Sequence, residues 1–281
     1  MEHRSWPFTI FIYTSALLLA VMILAPFAWL FIMSISSTTD LISKPLRWWP
    51  EEADWSRYRL LTDMSPNTHG AALMSALKNS IIVAAIASLA ALAVSVPTGW
   101  ALSRAPSVSW SLGVVIGTYM LPPVALAVPL YMGLAALGLL NTKFGLALVY
   151  LTILAPFTAW LLKSGFDPIP KDIEMAAAID GARLDQTIRI IILPLAAPVI
   201  GTAALFAYLL AWDEFFYALL FTSDHRAKTV TVAIADLAGG RVADYGLIAT
   251  AGVIAALPPV ILGLVMQRTL ISGLTTGSVK G

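Results

Sequence analysis

The chain has 281 residues, 59% of them hydrophobic and only 12% charged, with a mean hydropathy of +0.83 and a formal net charge of +1. Water-soluble domains carry about 25% charged residues, so most of this surface meets lipid or protein, and the chain is an integral membrane protein. Near-neutral charge without a basic cluster excludes a nucleic-acid partner, and the lack of cysteine excludes disulfides, thiolate metal sites and cysteine catalysis.

A bilayer core takes about 20 apolar residues per helix. Runs of that length predict six membrane-spanning helices, at 8–34, 77–102, 111–140, 145–163, 195–221 and 246–267. The expected fold is therefore all-α and polytopic, a single transmembrane domain over 1–281. The first run is too long for the apolar stretch of a secretory signal and no convincing cleavage site follows it, so a retained anchor is expected. After it, residues 36–76 form the longest polar stretch, with Trp48, Trp49, Pro50, Trp55 and Tyr58 among acidic and basic residues. Tryptophan and tyrosine in such a setting form an interfacial belt.

The second run repeats small residues every three or four positions: Ser80, Ala84, Ser88, Ala91, Ser95 and Gly99. That spacing lets helices approach closely within lipid, and predicts packing. The third run is longer than a span needs and carries Pro122, Pro123 and Pro129. Proline removes a backbone donor and clashes one turn back, so a broken or kinked helix is expected there. The fourth run contains Pro156 and the sixth the pair Pro258 and Pro259, further places for bends or ends. His3, His69 and His225 lie in different segments outside the runs, so no metal site is expected.

The fifth run holds two carboxylates, Asp213 and Glu214. Intramembrane carboxylates are costly and face a cavity or a partner. A helix rising about 1.5 Å per residue from Pro194 reaches Asp213 after roughly 28 Å, near the far end of the span, where a solvated or interfacial position is the competing expectation. Tyr208 and Trp212 stand one turn apart on a shared face. With Asp213 they are candidates for a substrate path: sugar C–H faces pack on rings while hydroxyls hydrogen-bond. Ordinary interhelical packing is the alternative.

Between the fourth and fifth runs lies a polar segment, 164–194. Pro168 and Pro170 end the preceding span, Asp172 is placed to cap a short helix, and Ile173, Ala176, Ala177 and Ala178 give it a small apolar face. Gly181 supplies the positive φ that a helix C-terminus or tight turn requires. Such a helix fits a groove on a partner or lies on a membrane surface. No Gly-x4-Gly-Lys-Ser/Thr phosphate loop occurs, and serine, histidine and aspartate show no nucleophile pattern, so no catalytic residue is expected.

The stretch EMAAAIDGARLDQTIRIIILP (174–194) resembles the EAA signature of permease subunits in binding-protein-dependent ABC importers. That pattern runs Glu-Ala-Ala, three residues, Gly, nine residues, then Ile-x-Leu-Pro. Ala176, Ala177, Gly181, Ile191, Leu193 and Pro194 fall on it. Met175 stands where the pattern has Glu, and Glu174 precedes it. IPKDIEMAAAIDGA (169–182) is similar to the carbohydrate-uptake branch, as are LPPVALAVPLYMGLAALGLLNT (121–142), WDEFFYALLFTS (212–223), in which an Asn is common at the position of Asp213, and the tail QRTLISGLTTGSVKG (267–281).

The resemblance implies the type I importer permease fold and a transport subunit without enzymatic activity. It implies a second permease subunit, two ATP-binding subunits that hold ATP and Mg, an external substrate-binding protein and the lipid bilayer as partners. Coupling to the ATPase falls to Glu174, Met175, Ala176, Ala177, Asp180, Gly181, Leu193 and Pro194, with Glu174 or Asp180 replacing the missing motif Glu. Gly273 to Gly281 are implied as a second ATPase contact, and residues 36–76 as a surface for the binding protein. Basic residues divide almost evenly between the two sides, so orientation rests on the resemblance: loop 164–194 and both termini cytoplasmic, in the bacterial inner membrane. The implied substrate is a carbohydrate. The absence of lysine and arginine from the middle of the spans favours a neutral one, with an acidic sugar derivative or glycerol phosphate open because a partner could supply cations. An ion-coupled secondary transporter is the rival class, and Asp213 and Glu214 would be its only relay.

Overall fold

The computed structural model describes residues 6–105, 107, 110–239 and 244–275, with the side chains of 268–275 left out. Among the described residues every regular element is helical. The chain runs through α1 (Trp6–Ile35), α2 (Thr38–Ile42), α3 (Ser56–Thr62), α4 (His69–Arg104), α5 (Ser111–Tyr119), α6 (Pro123–Ala136), α7 (Lys143–Phe166), α8 (Lys171–Ile179) and α9 (Leu184–Gln186). A π-helical turn (Thr187–Ile192) leads into α10 (Leu193–Asp213), followed by α11 (Phe216–Phe221), α12 (Val230–Ala238) and α13 (Tyr245–Thr275). Five helices are long and apolar enough to span a membrane; α5 and α6, bent by 92° at their break, make a sixth as a pair.

The helices meet the apolar runs of the sequence, with one break that the sequence leads one to expect and one that it does not. The run 111–140 is cut after Tyr119, because Pro122 and Pro123 cannot donate to the preceding turn. The run 195–221 is also cut: α10 stops at Asp213, and Glu214 is extended with ψ 124°. The Glu214 carbonyl accepts from Thr231 Oγ1 at 3.0 Å, while its carboxylate accepts from the backbone N–H of Tyr217 (2.9 Å) and Ala218 (3.1 Å). It thereby satisfies donors at the start of α11 that have no partner inside that helix. Glu214 is a capping residue, and this explains one of the two carboxylates in an apolar run.

The described residues fall into two compact units. One takes the chain up to 74 together with 233–256. Its helix α1 exposes apolar side chains on nearly every side from Trp6 to Phe27, the pattern of a helix surrounded by lipid or partner protein. Beyond α1, Arg57, 5% exposed, bonds to the Ser36 carbonyl, to Thr38 Oγ1 at 3.0 Å and to Asp244 at 3.2 Å. A side chain at Gly246 would collide with this guanidinium. Trp48 and Trp49 stay outward at 72% and 68% exposure, as an interfacial belt requires.

The other unit takes 75–232 and the chain from 257. The small residues of α4 do form its packing face: Ser80, Ala84, Ser88, Ala91, Ser95 and Gly99 are all buried. Ser95 Oγ lies 2.6 Å from Thr158 Oγ1, and a Cβ on Gly99 would stand 2.9 Å from Leu162 Cβ. Gly165 repeats the device against Val199, bringing α7 onto α10. Leu162, Phe166, Ile192, Ala196 and Ala203 make a core from these two helices and the π turn, flanked by Leu92, Val96 and Trp100 of α4. At the opposite end, Asn79 donates to the carbonyls of His225 (2.9 Å) and Lys228 (3.0 Å), fastening the turn before α12. There, hydrogen bonds from the Arg226 side chain and backbone hold the Asp224 carboxyl well below its ordinary range.

Candidate functional site: a short exposed helix between two spans

The segment joining α7 to α10 is built from the residues the sequence singles out. Pro170, extended at φ −60° and ψ 131°, is the N-cap of α8. Asp172 is not the cap; it stands with Glu174 in the first turn, where carboxylates complement the positive end of the helix dipole. The helix ends in a Schellman motif: Ala182 N–H bonds to Ala177 O at 2.9 Å and Gly181 N–H to Ala178 O at 3.1 Å. Gly181 makes this possible at φ +83°. Gln186 Oε1 then accepts from Arg183 N–H at 2.8 Å, opening α9. Pro194 follows the π turn and cannot donate to Ile190; the wider register before it shows in Leu193 N–H bonding back to Ile188 O.

The outward face of α8 differs from the small-residue face expected from the sequence. Ala177 is 6% exposed and Ile173 half-buried, so both turn into the protein. Met175 at 57% and Ile179 at 86% are exposed. With Asp172 and Ala176 they occupy i, i+3, i+4 and i+7, one face of the helix. The departure from the signature at 175 therefore adds an apolar side chain to an apolar ridge. Ala178 and Asp180 are exposed as well.

Glu174 has a partner within the chain. Its Oε1 accepts from Arg104 Nε at 2.6 Å, with the two side chains 18% and 10% exposed. Arg104 also donates to Phe166 O at 3.2 Å, Ile169 O at 3.1 Å and Ser103 Oγ at 2.9 Å. Sequence reasoning missed Arg104; the available signal was a single basic residue in the last turn of a 36-residue apolar helix. Leu193 lines a groove of about 620 Å³ together with Pro97, Trp100, Phe166 and Arg189, and Pro194 is exposed at the start of α10. Of the tail expected as a further contact, 276–281 lie outside the described residues, and 273–275 continue α13.

The fifth-span candidates do not share one environment. Tyr208 and Trp212 stack, with centroids 5.9 Å apart and planes 20° apart. Trp212 is 7% exposed and Tyr208 half-buried, whereas Asp213, the last residue of α10, is exposed. A hollow of about 220 Å³ opens elsewhere in the same unit, at the α5–α6 break, beside Tyr119, Thr152 and Tyr217.

Apolar helices long enough to span a membrane, with a compact helix held between two of them, define a polytopic membrane protein. Residues 93–275 match the family of binding-protein-dependent transport system inner membrane components, and the chain belongs to that family, the permeases of ABC importers. It is 37% identical to the trehalose/maltose transport system permease protein MalG of Thermococcus litoralis, over 95% of both chains. It is 33% identical to the trehalose transport system permease protein SugB of Mycobacterium tuberculosis, over 92% of this chain and 93% of that one. Its fold is similar to a chain in the crystal structure of a bacterial ABC transporter involved in import of the acidic polysaccharide alginate, with a TM-score of 0.75 and 23% identity over 96% of this chain and 100% of that one.

Proposed function

We propose that this chain is one of two permease subunits of an ATP-driven importer, carrying a neutral oligosaccharide delivered by an external binding protein. It lies in the bacterial cytoplasmic membrane with α8 and both termini on the cytoplasmic side. Two ATP-binding subunits hold ATP and Mg and drive it. The observation that carries this reading is α8: a stiff, capped helix between two spans, presenting Met175 and Ile179 outward. An apolar ridge of that kind seats in a groove of a partner protein, here an ATP-binding subunit. Asp172 on the same face and Asp180 at the helix end are both exposed, and are the carboxylates of α8 open to that partner.

Support for a sugar comes from relatives named for trehalose and maltose transport. Support for a neutral one is the absence of lysine and arginine from the middle of the spans. On the fifth span, Tyr208 and Asp213 face the path and Trp212 packs behind the Tyr208 ring. The ion-coupled alternative loses half its material, because Glu214 is occupied in capping α11.

The test is reconstitution in proteoliposomes with a cognate ATPase, second permease and binding protein. Uptake of trehalose or maltose is expected only with all four components and ATP. Calorimetric screening of the binding protein should give sugar binding and none with glycerol phosphate. Uptake by this chain alone under a proton or sodium gradient contradicts the importer reading, and tight binding of an acidic ligand contradicts the neutral substrate.

A further inference from the structure

We propose that Arg104 is the joint that binds the exposed helix α8 to the ends of α4 and α7, so that a displacement of α8 reaches both helices together. The inference rests on the reading of α8 as the ATPase-docking helix, and adds a positioning residue that lies outside the signature.

The geometry is that of a three-way clamp. Arg104 is the basic residue in the last turn of α4, where a cation complements the helix dipole. Phe166 is the last residue of α7, one of the terminal positions whose carbonyls find no donor inside their own helix. The Arg104 guanidinium donates to that carbonyl at 3.2 Å and to Ile169 O in the linker at 3.1 Å. Its Nε donates to Glu174 in the first turn of α8 at 2.6 Å. One planar fork thus holds the last turn of one span, the end of the next, and the short helix beyond it. Lysine, with a single ammonium on a flexible stem, cannot reproduce three fixed directions.

Burial makes the clamp consequential. The two side chains are only 10% and 18% exposed, and removing one partner of an ion pair largely shielded from water leaves the other charge uncompensated. Without the joint, α8 keeps its Schellman turn and its covalent links to α7 and α9, but loses its tie to α4. Glu174 is then a carboxylate committed inside the chain, and the partner subunit is met by the Met175 and Ile179 ridge with Asp180.

The experiment uses the complete transporter with the variants Arg104→Ala, Arg104→Lys, Glu174→Gln, and Arg104→Ala combined with Glu174→Gln. Assembly is followed by co-purification of the ATPase, and the readout is sugar imported per ATP hydrolysed. A joint acting as a unit predicts that each single variant lowers this ratio by about tenfold or more, that Lys does not rescue, and that the double variant is no worse than the singles. Wild-type ratios in assembled Glu174→Gln and Arg104→Lys, or single effects that multiply in the double variant, overturn the proposal. If Arg104→Ala fails to assemble, the two size-conserving variants decide. Gly181→Val, which leaves the clamp intact, separates the two ideas: uncoupling there with wild-type ratios at 104 and 174 removes the joint and keeps the docking helix. Wild-type ratios at all three positions remove both.

Discussion

Gly181 is the residue whose role follows most directly from backbone geometry. Its φ of +83° is open to glycine and strained for a β-branched side chain, and a Cβ there meets no other atom. Gly181→Val therefore acts through the turn alone, straining it by roughly 1–3 kcal/mol. The expected outcome is normal abundance and co-purification with reduced uptake and reduced stimulation of ATP hydrolysis by the loaded binding protein. Trp212 gives the opposite kind of prediction. It is 7% exposed and stacked on Tyr208, so Trp212→Ala should lower stability by about 3–5 kcal/mol, seen as a lower unfolding temperature in detergent. Asp213→Asn, at an exposed position, should leave the unfolding temperature unchanged and alter uptake rate or sugar preference. A change in stability with unaltered uptake removes Asp213 from the path.

At the scale of elements, the bundle is held by close approach of backbones at small residues. Gly99 faces Leu162 and Lys163, where a Cβ would stand 2.9 Å from Leu162 Cβ and 3.0 Å from Lys163 N. Gly99→Leu must push α4 from α7, and overpacking of this kind costs about 1–3 kcal/mol; thermal unfolding should shift down, and an unchanged midpoint contradicts this packing account. The three- and four-residue spacing on α4 made that face legible in the sequence, because helical periodicity maps directly onto a contact surface. The break at Pro122 and Pro123 was legible for an equally local reason. The break at Glu214 was not: it depends on Thr231 donating to the Glu214 carbonyl from 17 residues away. The outward face of α8 was misjudged for a similar cause. Apolarity marks Ile173, Ala176, Ala177 and Ala178 equally, and only the packing beneath the helix turns Ala177 inward and Ile179 outward. The position of Arg104 at the end of α4 was legible but its role was not, because its partners, Phe166, Ile169 and Glu174, are 62 to 70 residues distant.

For the whole molecule, what matters is that this chain moves a substrate with energy supplied elsewhere. It contains no phosphate loop, so the purified chain in nanodiscs should hydrolyse no ATP, and measurable turnover contradicts the division of labour. The central claim is that the outward face of α8 is where the energy enters. The chain contains no cysteine, so single-cysteine variants report without background. In the purified transporter, Ile179→Cys, at a position 86% exposed, should cross-link to the ATP-binding subunit with a short bifunctional reagent. Ala177→Cys, two residues away and 6% exposed, should not. Cross-linking at 179 that changes with nucleotide is the result the account predicts; no ATPase adduct at 179, with labelling of that cysteine by a soluble thiol reagent in the assembled complex, would contradict it.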